Sequence, residues 1–210
     1  MKKLLPDLTT PSRISGMTLI EMMTVVSIML ILMMIIVPAV NSARLSVMQK
    51  QGQMQFQRFI HALRDYYAEY QTYPPFLDTT EAVAALNPFG LYSSGGENSK
   101  NFIRALTGKE PGGAELSAGS LYLNPKRLVF LEIVPEDLFK TPTGDRDENQ
   151  IADIFNNTQI FIVAENPSDQ DRRIPQSLFT GIHAPMQAYV PAAGLLSDLA
   201  IWSIDPNDSK

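Results

Sequence analysis

Residues 22–40 read MMTVVSIMLILMMIIVPAV, and this stretch decides the fold. It contains no charged residue, and at ~1.5 Å per residue in a helix it spans roughly 28 Å, close to the hydrocarbon thickness of a bilayer. A core helix of a globular domain normally carries a polar face, whereas this stretch offers Thr24 and Ser27 as its polar side chains. The pattern therefore predicts a helix that crosses a membrane.

A basic leader precedes the apolar stretch. Residues 1–16 read MKKLLPDLTTPSRISG, and their basic side chains favour an N-terminus on the cytoplasmic side. A secretory signal peptide is the alternative, with a small-residue cleavage site at Val37-Pro38-Ala39. However, the apolar run is longer than a typical signal core and begins late, and a signal peptide gives no reason for Glu21 at its edge.

The junction between leader and apolar stretch reads Gly16-Met17-Thr18-Leu19-Ile20-Glu21. Glycine before a cut lets a protease bind the backbone closely. A carboxylate costs ~2.5–3.5 kcal/mol at the centre of a membrane helix and less near its end, so Glu21 is expected to have a partner. The alternative is that Glu21 is only a helix N-terminal charge, which the helix dipole favours.

This junction resembles the processing site of type IV prepilins and of type II secretion pseudopilins. The resemblance implies that a membrane-embedded prepilin peptidase cuts after Gly16 and methylates the new amine of Met17. Glu21 then becomes the fifth mature residue, where the family has its glutamate, and the free amine of Met17 on an adjacent subunit becomes its partner. Pro38 falls where many pilins have a helix-kinking proline. Met17 departs from the phenylalanine that is commoner at the first mature position.

The resemblance also implies a cellular setting. The protein is expected in the bacterial inner membrane, with its leader in the cytoplasm and its head in the periplasm, and then in a periplasmic pseudopilus or a surface pilus. Its expected partners are the prepilin peptidase, membrane lipid, copies of itself, other pseudopilins and an inner-membrane assembly platform. The net charge of −5 argues against a nucleic-acid binder.

Beyond the apolar stretch the helix becomes amphipathic. Apolar and aromatic side chains recur at helical spacing and predict the face that packs on a sheet: Phe56, Phe59, Ile60, Leu63, Tyr67 and Tyr70. Tyr73-Pro74-Pro75 is expected to end a helix that runs from about Met17 to about Gln71. Pro38 and Gly52 are the predicted bends. Such a helix, half in lipid and half on a small head, resembles the pilin fold.

The predicted fold class is therefore α+β, with a long N-terminal helix packed on a small antiparallel sheet. We expect a cleaved leader at 1–16, a transmembrane and assembly helix at 17–40, its amphipathic continuation at 41–72 and a globular head at 73–210. Strands are predicted at Arg127–Ile133, Thr158–Ala164, Leu199–Asp205 and Gln187–Val190, and short helices at Thr80–Leu86 and Asn98–Leu106. The ending from Ile201 to Asp208 resembles the last strand and turn of major pseudopilins, without their glycines.

The sequence offers little catalytic chemistry. There is no cysteine, and His61 and His183 lack metal-ligand spacing to other strong ligands. Thr107-Gly108-Lys109 lacks the first glycine of a phosphate-binding loop, because Ile103 stands there. We therefore expect no enzyme and no cofactor.

One acidic cluster suggests calcium. Asp145, Asp147, Asn149 and Asp153 follow the ligand spacing of a calcium-binding loop, although Gln150 replaces its glycine and Asn156 its bidentate glutamate. A hydrated loop is the alternative.

Three functions compete on this evidence. The first is a structural filament subunit, either a pseudopilin of type II secretion or a pilin of a surface pilus. The second is a single-pass membrane-anchored binding domain that does not polymerise, and the third is a secreted enzyme behind an unusual signal peptide. The Gly16–Glu21 junction favours the first, and the likeness at the C-terminal end favours secretion.

Overall fold

The computed structural model describes residues 17–77, 89–91, 96–164, 174, 176–179, 184–192 and 195–204. The chain divides into two compact units, Met1–Ser46 and Val47–Lys210. The long helix α1, Leu19–Tyr70, begins in the first unit and ends in the second. Its bounds confirm the predicted helix, and its end is marked by Gln71, which has the left-handed φ of 58° typical of a residue just beyond a helix.

Over its described residues, the first unit consists of α1 from Leu19 to Ser46 and the two residues before it. Every one of these residues is exposed. This part of α1 is long and apolar enough to cross a membrane, and none of its most apolar window is buried within the protein. Pro38 lies inside the helix. Proline has no N–H, so the carbonyl of Met34 loses its usual helical hydrogen bond there.

The second unit combines the rest of α1 with short helices and two small sheets. Its further helices are α2, Glu97–Thr107, and α3, Ala184–Gln187. Its strands are β1 Phe89–Gly90, β2 Leu138–Lys140, β3 Arg146–Ile151, β4 Ile160–Ala164 and β5 Leu199–Ser203. One antiparallel sheet has the order β1-β4-β5, and β2 pairs with β3 in a separate antiparallel hairpin. The predicted α+β class with a small antiparallel sheet is confirmed.

The three-stranded sheet is covered on both faces. Because side chains alternate along a strand, one face of β4 and β5 joins the main core with α1 and α2, and the other packs against a smaller cluster around Trp202. Large side chains of the main core that are completely buried include Phe59, Leu63, Phe102, Leu106, Ile160 and Ile162. The α1 stripe predicted from the sequence is therefore the packing face, although Tyr66 is buried where the prediction placed half-buried Tyr67.

Two predicted strands are wrong. Arg127–Ile133 forms no strand, because the backbone N–H groups of Phe130 and Leu131 both donate to the carbonyl of Leu106 at the end of α2. The segment thus donates hydrogen bonds to a carbonyl at the C-terminal end of α2 instead of pairing with a strand. Gln187–Val190 contains the last residue of α3 and the turn that follows it, with the N–H of Val190 donating to the carbonyl of Gln187.

Other predictions have mixed outcomes. The helix predicted at Asn98–Leu106 is α2, and the strands predicted at Thr158–Ala164 and Leu199–Asp205 are β4 and β5. Strands β1, β2 and β3 were not predicted. The helix predicted at Thr80–Leu86 lies outside the described residues.

Candidate processing and assembly site

The start of α1 is closed by a reciprocal cap between Thr18 and Glu21. The carboxylate oxygen Oε2 of Glu21 accepts hydrogen bonds from the backbone N–H and the hydroxyl of Thr18, each at 2.8 Å. In return, the N–H of Glu21 donates to the Thr18 hydroxyl at 3.4 Å. This is a capping box, which satisfies backbone donors that a helix start leaves unpaired.

The cap leaves half of the carboxylate available. Both hydrogen bonds from Thr18 go to Oε2, and among the described residues Oε1 of Glu21 takes none. A carboxylate has room for several donors, so a second group can bind Oε1 without opening the cap. The interpretation of Glu21 as a helix-start residue and its interpretation as a pairing residue are therefore compatible.

Downstream of Glu21, two polar side chains form hydrogen bonds with carbonyl groups of the same helix. The Thr24 hydroxyl donates to the carbonyl of Glu21 at 2.9 Å, and the Ser27 hydroxyl donates to the carbonyl of Met23 at 2.8 Å. In hydrocarbon, where no water is present, polar groups have to be satisfied within the segment. With both hydroxyls bonded inside the helix, its surface toward lipid or a neighbouring helix is apolar.

Met17 and Thr18 are the two described residues before α1, and both are exposed. Gly16 and the rest of the predicted leader lie outside the described residues. The structure therefore leaves the cleavage point and the methylation of Met17 as predictions. Pro38 is 17 residues beyond Glu21 in the same helix, and its role as a bend also stays a prediction.

The predicted calcium ligands do not form a cluster. Asp147 and Asn149 lie on strand β3, with Asp145 before it and Asp153 after it. Asp147 accepts from the N–H of Asn149 at 3.0 Å, and buried Asp153 accepts from the N–H groups of Phe155 and Asn157 at 2.9 and 2.8 Å. Across the described ranges, no group of three or more His, Cys, Asp or Glu side chains is placed to hold a metal ion.

A calcium-binding loop winds around its ion, whereas β3 is extended. This backbone geometry does not favour a calcium-binding loop, and calcium binding by these residues stays a prediction. Its test is a calcium-dependent rise in melting temperature that Asp147→Ala abolishes.

The sequence did not reveal a polar cluster on the second unit's part of α1. Asp137 is 1% exposed, and both of its carboxylate oxygens pair with the guanidinium of Arg58. The side-chain amide of Gln55 donates to Asp137 Oδ1 at 3.0 Å and to the carbonyl of Ala152 at 2.9 Å. The sequence feature that could have revealed this cluster is Gln55, a polar residue one turn before Arg58 and on the same side of α1 as the apolar stripe.

Of the other weak signals in the sequence, the glycine of one has a structural role. Gly108 of Thr107-Gly108-Lys109 ends α2 with a left-handed φ of 67°, so this sequence lies at a helix C-terminus, whereas phosphate-binding loops lead into a helix N-terminus. His61 is exposed on α1. His183 lies outside the described residues.

Comparison with known proteins agrees with this geometry. Residues 11–37 match the family described as the prokaryotic N-terminal methylation motif, the signature of type IV prepilin-like proteins. No curated protein and no solved structure matches the chain. The matched segment includes the predicted cleavage site and Glu21, and it ends just before Pro38. The motif implies processing by prepilin peptidase and assembly with pilin copies, and together with the long apolar helix it supports a membrane-anchored type IV pilin-like protein.

Proposed function

Because the chain carries the signature of type IV prepilin-like proteins, we propose that it is a structural, non-enzymatic subunit of a type IV pilus-like filament. In this proposal, prepilin peptidase cuts after Gly16 and methylates Met17, and the mature chain assembles from the inner membrane into a filament with its head in the periplasm. The observation that carries the proposal is Oε1 of capped Glu21, which accepts no hydrogen bond from any residue that the structure describes, at the start of a helix whose described residues are exposed through Ser46.

The charge of Glu21 acts in assembly as a register device. When apolar helices pack together away from water, an unpaired carboxylate is strongly disfavoured, whereas one matched to a cation is tolerated. Cleavage creates such a cation at Met17, four residues before Glu21. Pairing the amine of one copy with Glu21 Oε1 of the next selects one axial offset between the two helices.

Among filaments, we propose a type II secretion pseudopilus. The support is the resemblance of residues 201–208 to the last strand and turn of major pseudopilins, with Trp202 buried in β5. The other filament, a surface pilus, uses the same N-terminal machinery. Deletion of the gene separates the two, since loss of a secreted protein indicates the first and loss of surface fibres the second. Neighbouring genes for a secretion ATPase and an outer-membrane secretin would also favour the first.

Processing is tested by the intact mass of the protein purified from membranes. We expect a mature chain that begins with N-methyl-Met17. Gly16→Ala, which adds a Cβ at the residue before the cut, should leave the unprocessed chain in the membrane. A mature N-terminus near Val40 would instead indicate an ordinary signal peptide.

Assembly is tested by a set of variants that separates the cap from the charge. Glu21→Ala removes both, Glu21→Gln keeps the capping ability and removes the charge, and Thr18→Ala weakens the cap and keeps the charge. If the charge pairs with a neighbour's amine, both Glu21 variants insert and are cleaved but form few filaments, and Thr18→Ala assembles. If Glu21 serves only as a cap, Glu21→Gln assembles normally and Thr18→Ala does not.

The membrane-anchored binding domain that does not polymerise makes a different prediction. It requires neither Glu21 nor Met17 for function, and the mature chain stays monomeric in the membrane. Sedimentation of sheared cell-surface or periplasmic material, followed by detection of the processed chain, distinguishes the two.

A further inference from the structure

A cavity of about 280 Å³ lies in the second unit, beside the C-terminal end of α2. Much of its lining is apolar and comes from Ile103 of α2, from Leu131 and Ile133 of the segment after it, and from Leu138 of β2. Ile103 and Leu131 are buried, so these walls belong to the folded core. Apolar walls with a few polar groups at the rim are typical of ligand-binding cavities.

The charged side chains around this cavity are not balanced. Glu110 lines it, but its carboxylate is paired with Arg104. The carboxylates of Glu132 and Glu148 and the ammonium group of Lys109 also line it, and all three residues are exposed. None of these three groups forms an ion pair or a hydrogen bond with a residue that the structure describes. Two carboxylates against one ammonium give the cavity a negative charge, which favours a cationic ligand.

A glycine makes room for one of these carboxylates. Gly112 has a left-handed φ of 83°, and a Cβ on it would lie 2.8 Å from Oε2 of Glu148. A larger residue at this position would therefore displace the Glu148 carboxylate. The neighbouring Gly113 has a similar φ of 85°, but a Cβ on it would meet nothing within 4 Å.

Apolar surface continues outside the cavity. Val129 lines its edge and is 63% exposed, and Leu128 before it is 37% exposed. A free amine bound in the cavity would leave this surface in water. A protein segment with an apolar residue beside a lysine or arginine would cover it, and burial of apolar surface stabilises association.

We propose that this cavity binds a lysine or arginine side chain of a basic partner protein, on a segment that carries apolar residues beside it. The aliphatic stem of the basic side chain packs on the apolar walls, and its charged end binds the carboxylates of Glu132 and Glu148. Ammonium and guanidinium groups have enough donors for both carboxylates. Because this chain has a net charge of −5, a basic partner is favoured over a second copy. The proposal goes beyond the filament function and does not depend on it.

Binding of a short peptide to the full-length chain in detergent tests the proposal. The probe is the fluorescein-labelled peptide Ser-Val-Lys-Val-Ser, followed by fluorescence polarisation against empty micelles. We expect this peptide and its arginine counterpart to bind. The norleucine counterpart, which keeps the aliphatic stem and lacks the charge, should bind about tenfold more weakly. Equal binding of the norleucine peptide, or no binding of the lysine peptide, overturns the proposal.

Substitutions locate the binding at these carboxylates. E132Q/E148Q should raise the Kd of the lysine peptide about tenfold, whereas Lys109→Gln should lower the Kd because it removes a like charge. Gly112→Ala should raise the Kd about threefold, since it displaces the Glu148 carboxylate and keeps its charge. Gly113→Ala is the matched control, because it carries the same backbone strain and leaves Glu148 in place. A Kd that is unchanged in E132Q/E148Q means that the peptide binds elsewhere and that the proposal is wrong.

Two other occupants give different results. If 1,5-diaminopentane displaces the peptide at the peptide's own concentration, the cavity takes a free amine, and the protein partner is wrong. If the chain self-associates in detergent and E132Q/E148Q abolishes this in sedimentation velocity, the occupant is a second copy, and the basic partner is wrong. We expect neither result.

Discussion

Leu30 and Leu63 lie on the same helix, yet Leu30 is 61% exposed and Leu63 is completely buried. Through Ser46, every described residue of the chain is exposed, including the long apolar run. From Val47 onward the chain builds its own core from α1, α2 and the sheet. Burial of apolar surface is the main stabilising contribution in folding. The second unit can therefore be stable by itself in water, whereas the first unit cannot.

The difference shows where the first unit obtains its stability. The hydroxyls of Thr24 and Ser27 are bonded inside the helix and the described apolar side chains of this unit are exposed, which suits lipid as a solvent and then neighbouring helices. The second unit pairs several of its buried polar side chains across long sequence separations, such as Asp137 with Arg58 and Ser99 with Gln150. One helix therefore serves two environments.

The largest effect is expected from separating the two parts. A chain that begins near Arg44 should be soluble, monomeric and cooperatively unfolding, whereas the full-length chain should fractionate with membranes. Size-exclusion chromatography and urea unfolding followed by circular dichroism measure this. An aggregated or non-cooperative product would show that the second unit needs the apolar helix for its core.

The sequence predicted the first unit better than the second. An uninterrupted apolar run with a basic leader has few structural solutions, and α1 begins and ends within two residues of the predicted bounds. Strands β4 and β5 were also predictable because they are rich in β-branched and aromatic residues. These signals are local and need no knowledge of what packs against them.

The rest depends on distant partners. Strand β3 reads RDENQI, a charged sequence with weak strand propensity, and it forms because β2 pairs with it. Arg127–Ile133 has strand propensity but is recruited to the end of α2, where the side-chain amide of Asn124 also donates to the carbonyl of Ala105 at 2.8 Å. The polar cluster around Gln55 requires Asp137, 82 residues away, and no periodicity in the sequence reveals that contact.

The second prediction places the same substitution in both parts of α1. Leu63→Ala should lower the free energy of unfolding of the second unit by ~2–5 kcal/mol, because it removes a completely buried side chain and leaves a cavity. Leu30→Ala is the matched control and should leave this free energy unchanged in the full-length chain in detergent. Urea denaturation of the two variants is the measurement. Equal losses would mean that the two parts share one core.

The third prediction uses an ion pair of the second unit. The Glu110 carboxylate accepts from Arg104 at 2.6 Å and from the N–H of Ser117 at 3.1 Å. Burial acts to raise the pKa of Glu110, but these hydrogen bonds outweigh it and lower the pKa from 4.5 to about 2. Because the folded state favours the charged form, this stabilisation is present above pH 4.5 and is lost as the pH falls toward 2.

Glu110→Gln should therefore cost about 2 kcal/mol at neutral pH and flatten the loss of stability in that acidic window. Glu115→Gln is the control, since Glu115 is 88% exposed and a surface ion pair contributes little. Urea unfolding of the soluble head between neutral and acidic pH measures both. If the free energy of unfolding falls equally steeply with decreasing pH in the unmodified head and in Glu110→Gln, the attribution of this loss to Glu110 is wrong.

The smallest effect is expected at Tyr66, in the alkaline range. Its hydroxyl donates to the carbonyl of Leu123 at 2.7 Å, and burial, with a smaller contribution from neighbouring Tyr70, raises the pKa of Tyr66 from 10 to about 12. The folded state thus favours the neutral phenol, so its stabilisation is complete below pH 10 and is lost as the pH rises toward 12.

Tyr66→Phe should lower the free energy of unfolding by about 1 kcal/mol at neutral pH, because the Leu123 carbonyl loses its donor, and it should flatten the alkaline decline. Tyr122→Phe, at a side chain 60% exposed, should leave the neutral stability unchanged. Residues 22–40 contain no titratable side chain. The lower stability of Tyr66→Phe at neutral pH and its flatter alkaline decline should therefore also appear in the full-length chain in detergent. A different alkaline profile there would mean that the apolar helix alters the core around Tyr66.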